Sequence, residues 1–505
     1  MNDAVDTEVS PLRPTPAPKL ALAAGLAAFG DWLFYGHEIG ISVALFLVGL
    51  FGAACLTRPH QNRDRLFSSA GIVVAALLPL IVEVRALSVL CGILGTTLAA
   101  AVISGASDRG MATLIATMQR LVLTGPFRLI PDLVRARREA NLRQRASRPL
   151  GVLAGWVVPV LCGCVFVALF AMANPMVEEW LAIIDPSRQD WHVDGGRTLL
   201  WGILLSLAWP FVATRVSNRL PFGAGLLALN VPEIDEDSRF LGTAAIRRSL
   251  ILFNLLFAVQ TLLDVVYLWG GATLPAGMTY AAYAHRGAYP LIATALLAAA
   301  FVLTTLRPGG PGERSASIRR LVYLWVGQNV ILVISSILRL DLYVATYSLS
   351  LMRIAAFIWM LLVGAGLILI IVRIALRRSN LWLVRANLLT VAVTLYACSF
   401  MDFSAIAANY NLSSRRETLV SALAPDLGYV RQLGPHAIPA LDRYIARHGV
   451  SASSDLVRWR NWAASDLLRR LDDWRAWSLR DWRLKRYLVR QADDKGKAMA
   501  SGQGL

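Results

Sequence analysis

Charge is scarce in this chain of 505 residues, and most of what it carries has one sign. Asp, Glu, Lys and Arg together make up 16% of the sequence against 56% apolar residues, whereas soluble domains carry about 25% charge. That shortage excludes an ordinary water-soluble domain. Cysteine is equally unhelpful: Cys55, Cys91, Cys162, Cys164 and Cys398 all fall inside apolar stretches, so no disulfide framework can be read. Cys162 and Cys164 lie about 200° apart around a helix, which argues against half a metal site. The six histidines show no paired helical spacing, and neither a Gly-rich phosphate loop nor a nucleophile elbow is found. No metal site and no cofactor is expected. Lysine is nearly missing, 4 residues against 46 arginines, a bias of composition rather than of function.

What is present is a series of apolar stretches with Lys and Arg gathered between alternate ones. The net charge of +17 would suit nucleic acid if it formed a single solvated patch. Instead it sits largely in loops beside apolar segments, where anionic headgroups are the nearer partner, so no nucleic-acid partner is expected. The alternation is the positive-inside pattern of a multi-pass membrane protein. Because backbone groups in lipid must pair within their own segment, each stretch reads as an α-helix.

Eleven spans are expected, over residues 20–35, 39–56, 66–82, 86–104, 150–172, 197–214, 250–269, 287–306, 321–338, 354–372 and 384–401. The first is the weakest. It has about 16 residues, broken by Asp31, where a crossing needs ~20. Five loops on the basic side cover 57–65, 105–149, 215–249, 307–320 and 373–383. Loop 105–149 holds nine Arg against three acids, and its stretch Leu114–Leu133 has the apolar spacing of an amphipathic helix lying on the inner surface.

The expected architecture is therefore all-α. It has a disordered cytoplasmic tail (1–19), four transmembrane helices (20–104), a basic amphipathic cytoplasmic loop (105–149), a core of about seven helices (150–401) and a helical extracytoplasmic C-terminal domain (402–505). In that last part, Gly434-Pro435 precedes a helix over 436–448 that Gly449 stops. Leu456, Trp459, Ala463, Leu467, Leu471 and Trp474 then recur on one face. With Arg on the other faces and Trp462, Trp477 and Trp482 nearby, this stretch fits a helix at the outer headgroups, or an ordinary helix folded onto the rest of the tail.

Polar groups inside membrane helices are costly and so mark candidate sites. Asn254, Gln260, Thr261 and Asp264 fall within an arc of about 120° on one helix. Gln328, Asn329, Ser335, Ser336 and Arg339 make a matching stripe on another. An ion pair between Asp264 and Arg339 is expected in the outer half of the membrane. The connection that follows Asp264 is dense in polar aromatic groups, with Tyr280, Tyr283, His285 and Arg286.

These segments resemble a known family. The run through Asn254, Gln260, Asp264 and Trp269, the turn from Tyr280 to Pro290, Gly327-Gln328-Asn329-Val330, Ser335 to Tyr343, Ala408-Asn409-Tyr410-Asn411, and Leu433-Gly434-Pro435 through Leu441 occur in the order found in a bacterial inner-membrane family. That family is catalogued as domain of unknown function 4173 and is allied to the one numbered 4153. The resemblance covers residues 240–445 and implies a bacterial inner-membrane location, with no activity, substrate or cofactor attached. The family's turn carries an acid where this chain has Ala282, so an acid-dependent role for the turn is not carried over.

Two functions follow as expectations. One is the handling or transport of a small solute or lipid through a polar pocket between helices 250–269 and 321–338. The other is a non-catalytic sensor or assembly scaffold acting through the C-terminal domain and the basic loop. The partners are the lipid bilayer, anionic lipids at the basic loop, and a membrane or periplasmic protein. Without a carboxylate pair or nucleophile–base spacing, an enzyme is the least favoured reading.

Overall fold

The computed structural model describes residues 17–58, 62–135, 194–214, 216, 243–266, 315–413, 426–449 and 454–500. Every regular element among them is helical, with no strand. Seven of these helices are long and apolar enough to cross a membrane: Arg63–Val82, Ala86–Ile103, Gly195–Val212, Ala244–Leu263, Ala316–Ala345, Leu351–Ala375 and Asn380–Cys398. Their starts are written in the sequence. The side chains of Asn62, Asp194, Ser350 and Ser379 each accept a backbone N–H of the first turn that would otherwise lack a partner. The expected spans 150–172 and 287–306 lie outside the described residues.

Two compact units form, one of Met1–Ala224 with Leu471–Arg480, the other of Gly225–Arg470 with Asp481–Leu505. The first unit contains α1 (Ala17–Phe34), α2 (Ser42–Leu56), α3 (Arg63–Val82), α4 (Ala86–Ile103), α5 (Met111–Gln119) and α6 (Gly195–Val212). Small residues set its packing. A Cβ added at Gly95 of α4 would lie 2.1 Å from the Ala76 Cβ of α3, and one at Gly92 would meet Leu80 and Leu47 at 2.6 and 2.8 Å. Lipid gives apolar side chains no reason to leave it for one another, so close backbone approach and dispersion hold such helices together.

α1 runs through Asp31 without a break, because Arg197 of α6 answers the carboxylate with a bidentate fork, Nε to Oδ1 at 3.0 Å and Nη2 to Oδ2 at 2.6 Å. α1 is not among the seven membrane-length apolar helices, and α2, at 15 residues, is shorter than a full crossing.

The expected amphipathic helix over 114–133 is a correction. α5 ends at Gln119, a π turn follows over Arg120–Thr124, and the chain bends at Gly125 into a 3₁₀ turn at Pro126–Arg128. Leu121 is buried, while Leu114, Met118 and Leu129 pack against the core of this unit. Gly125 is required because a Cβ there would lie 2.5 Å from the Pro210 Cβ of α6. Leu123 and Phe127 stay exposed, so the correction concerns the continuity of the helix and not the surface on which it lies.

The second unit contains α7 (Thr243–Asp264), α8 (Ala316–Tyr347), α9 (Leu351–Ala375), α10 (Asn380–Cys398), α11 (Phe403–Asn411), α12 (Leu427–Gln432), α13 (Ile438–His448), α14 (Ser454–Arg470) and the greater part of α15 (Leu479–Ala500). α8 has 32 residues, about 48 Å at 1.5 Å per residue, and so exceeds a hydrocarbon core of ~30 Å. The expected span 321–338 lies within it.

One cluster joins α7 to α10 around Leu250, Trp325, Ile370 and Leu383. Another packs α11 to α14 around Ala408, Leu412, Val430, Leu441 and Leu456. Gly434 and Gly449 bracket the α13 region with φ of 78° and 53°, values that only glycine adopts freely. α14 stops at Arg470, so Leu471 and Trp474 do not share its buried face as the spacing had suggested. They lie in a turn and a 3₁₀ segment, Trp474–Ala476, that belongs to the first unit.

Candidate functional site

The membrane stripe brings two of its predicted residues together directly. Asn254 of α7 donates from Nδ2 to the Leu250 carbonyl, one turn back, at 2.7 Å. The same group donates across to the Leu321 carbonyl of α8 at 3.1 Å. Gln328 of α8 returns the contact, donating from Nε2 to the Asn254 carbonyl at 3.2 Å. Asn254 is 6% exposed. The pair forms an amide clasp that pins α7 to α8 one turn from the aromatic stack of Phe253 on Trp325.

Three other stripe residues bond within their own helices. The Thr261 hydroxyl donates to Phe257 at 2.8 Å, Asn329 Nδ2 to Trp325 at 2.8 Å, and the Ser336 hydroxyl to Leu332 at 2.8 Å. Ser335 and Arg339 are buried, and Gln260 is half-buried. Two acceptors in the clasp, Asn254 Oδ1 and Gln328 Oε1, are buried with no hydrogen-bond partner among the described residues. The Asp264 side chain lies outside the described residues, and so do Tyr280, Tyr283, His285 and Arg286. The expected Asp264–Arg339 ion pair therefore remains a proposal.

Sequence reasoning missed three polar constellations outside the stripe. The first lies within the first unit, where Leu471–Arg480 forms a strap over one end of its helices. The Ile41 N–H donates to the Trp477 carbonyl at 2.9 Å, and Arg475 Nε donates to the Trp32 carbonyl at 3.1 Å. The same guanidinium stands over the Trp32 and Trp474 rings at 4.7 and 5.2 Å. His37 Nδ1 meets Asp473 at 2.7 Å, and Arg480 pairs with Glu83, each largely buried. The fit at Gly40 leaves no room for a side chain: a Cβ there would lie 2.3 Å from the Ala476 carbonyl carbon and 2.4 Å from the Arg475 oxygen.

The second is in the other unit, where His436 is held between two carboxylates. Its Nδ1 meets Asp402 Oδ2 at 2.9 Å and its Nε2 meets Asp481 Oδ1 at 3.1 Å. Burial disfavours the charged imidazole, yet the hydrogen bonds and charges of Asp402 and Asp481 outweigh it and raise the pKa to about 9. Both ring nitrogens then donate, and His436 is an imidazolium at neutral pH. Asp402 also caps α11 through the Ala405 N–H, so one carboxylate serves two elements.

In the third, also in the second unit, Asp442 accepts Arg460 Nε at 2.8 Å and the Tyr487 hydroxyl at 3.0 Å. Burial, followed by the adjoining Asp442 charge, pushes the Tyr487 hydroxyl up to about 12.

Chemically, these arrangements hold elements together. None supplies a nucleophile beside a free base, and no group of three metal-ligating side chains occurs among the described residues. The only hints available beforehand were the caps and the Gly434-Pro435 signal, since the partners of His436 lie 34 and 45 residues away.

A family model described as Domain of unknown function (DUF4153) matches residues 69–444, reaching well ahead of the 240–445 over which the motifs were recognised. Of the two allied families named on those motifs, it is the one numbered 4153 whose model matches. No curated protein and no solved structure matches the chain.

Proposed function

The chain belongs to the DUF4153 family, and from that premise we propose that it is a multi-pass membrane protein acting without catalysis, as an assembly scaffold or sensor. In this reading it is a bacterial inner-membrane protein of eleven spans with its N-terminus in the cytoplasm. The C-terminal domain, 402–505, stands outside the cytoplasm and is the contact surface for a membrane or periplasmic protein. The Arg-rich loop 105–149 meets anionic lipids on the inner side.

The observation that carries this reading is how the intramembrane stripe spends its hydrogen bonds. Asn254, Thr261, Gln328, Asn329 and Ser336 all donate to helix carbonyls, which is the behaviour of groups that fasten a bundle. The orientation is supported within the first unit. The strap touches Trp32, the α1–α2 turn and Glu83 in the α3–α4 turn, the ends that the charge pattern assigns to the outside. The basic residues Arg58, Arg63 and Arg65 lie at the opposite ends of α2 and α3.

One observation favours a second reading, a solute or lipid pocket between α7 and α8: the two buried acceptors Asn254 Oδ1 and Gln328 Oε1 could receive a donor group. Complementation of cells that lack the protein separates the two. A scaffold tolerates Asp264→Asn and the double change Asn254→Leu with Gln328→Leu at normal protein level, but loses function on truncation after Asn411. If the substitutions alone abolish function, the scaffold reading is wrong and the pocket stands.

A further inference from the structure

α15 uses one side of its surface to fold and leaves the other unspent. Leu484 and Leu488 are buried, Tyr487 hydrogen-bonds Asp442, and Asp481 holds His436. On the remaining arc stand Trp482, Arg483, Arg486, Val489 and Arg490, all exposed, within about 120° at 100° per residue. Trp482 is 37% and Val489 47% exposed. Arg483, Arg486 and Arg490 form no ion pair with any other described residue, and Arg486 lies over the Trp482 ring at 4.8 Å. Elsewhere in the same region exposed arginines have polar partners, Arg458 with Asp455, Arg469 with Asp466, Arg443 with Asn409 and Arg447 with the Leu412 carbonyl.

Three guanidiniums without counterions, around a tryptophan and a valine, are complementary to a surface with phosphates above and apolar chains below. Arg side chains reach for such phosphates while their stems and an indole lie at the acyl boundary.

We propose that the Trp482–Arg490 face of α15 docks on the headgroups of anionic phospholipids at the membrane surface. This goes beyond the functional reading above and is independent of it, since either a scaffold or a pocket protein could carry such a face. Asp493 and Asp494 close the basic run, which limits the contact to the first three turns of the helix.

The test uses the full chain with its native cysteines replaced and a spin label at Val489→Cys, in lipid nanodiscs of pure phosphatidylcholine or of one third phosphatidylglycerol. The label is expected to be shielded from a water-soluble nickel relaxant in the anionic discs and open to it in the neutral ones, with shielding lost at high salt. Changing Arg483, Arg486 and Arg490 to Gln is expected to move the docked equilibrium toward the open state by about 100-fold, roughly fivefold per arginine. Arg458→Gln with Arg469→Gln should leave shielding unchanged. Equal shielding in both lipids would overturn the proposal. So would shielding that follows the number of protein copies per disc, which would indicate a second copy as the partner, or equal loss in the Arg458/Arg469 control.

Discussion

Replacing Gly40 with alanine is expected to lift the 471–480 strap from the first unit while leaving the helices beneath it intact. Gly40 does not occupy the left-handed region, so alanine meets no backbone strain of its own. Its methyl would stand 2.3–2.5 Å from the carbonyl atoms of Arg475 and Ala476, where non-bonded atoms need about 3.5 Å. Those neighbours are backbone, so no rotamer change relieves the overlap, and the strap must retreat by roughly 1 Å. A shift of that size breaks the bond from Ile41 to Trp477. Overpacking of this kind costs about 2 kcal/mol, which raises the population of the lifted state about thirtyfold.

Ser478, 2% exposed, reports the change. In the detergent-solubilised full chain, with native cysteines replaced, maleimide labelling of Ser478→Cys should run about thirtyfold faster in the Gly40→Ala background. Gly52→Ala serves as the control, since nothing lies within 4 Å of a Cβ there. Equal labelling rates in the Gly40→Ala and Gly52→Ala backgrounds would refute the close approach on which the argument depends.

Other outcomes follow from the buried polar groups. His436 has its pKa raised from 6.5 to about 9, so its contribution to stability is full below pH 6.5 and is lost as the pH climbs through 9, on the order of 3 kcal/mol in all. The thermal stability of the second unit should fall between pH 6.5 and 9, and His436→Gln should flatten that dependence; an identical slope in the variant would dispose of the assignment. Asn254→Leu removes the donor that ties α7 to Leu321 and is expected to weaken that helix pair by about 0.6–2 kcal/mol, read as a lower midpoint in thermal denaturation. Arg197→Ala should lower the melting temperature more than Asp31→Ala, because the first strands a carboxylate that is 6% exposed while the second frees an arginine side chain 54% exposed. The reverse order would show that Arg197 does not offset that burial.

The parts of the fold that could be read in advance are those whose cause is local. α3, α4, α9 and α10 were legible because lipid demands an unbroken apolar run of a fixed length, and their caps stand beside them in the sequence. Gly434 and Gly449 were legible because a left-handed φ leaves few other choices of residue. The strap was not legible, since Gly40 has an ordinary conformation and only a backbone 435 residues away makes its missing side chain matter. Asp31 looked like a defect in a short span until Arg197, 166 residues on, appeared opposite it. Of the stripe on α7 and α8, Asn254 and Gln328 lie on helices that meet. What the pattern could not tell is which atoms meet, and Thr261, Asn329 and Ser336 turned out to bond within their own helices. The helix over 114–133 is broken for a reason that is not local: apolar spacing does not reveal the close approach of Gly125 to Pro210, where the chain bends.

The strap also imposes an order in time on how the molecule is made. Trp32 and Arg475 are 443 residues apart, so at about 5–20 residues per second the ribosome needs roughly 20–90 s to supply the second after the first. Throughout that interval the notch at Gly40 stays open and Glu83 lacks Arg480. The strap thus closes a position on helices made long before it. A copy truncated before residue 471 would leave that position open and could be told apart from a finished one at the surface of its first helices.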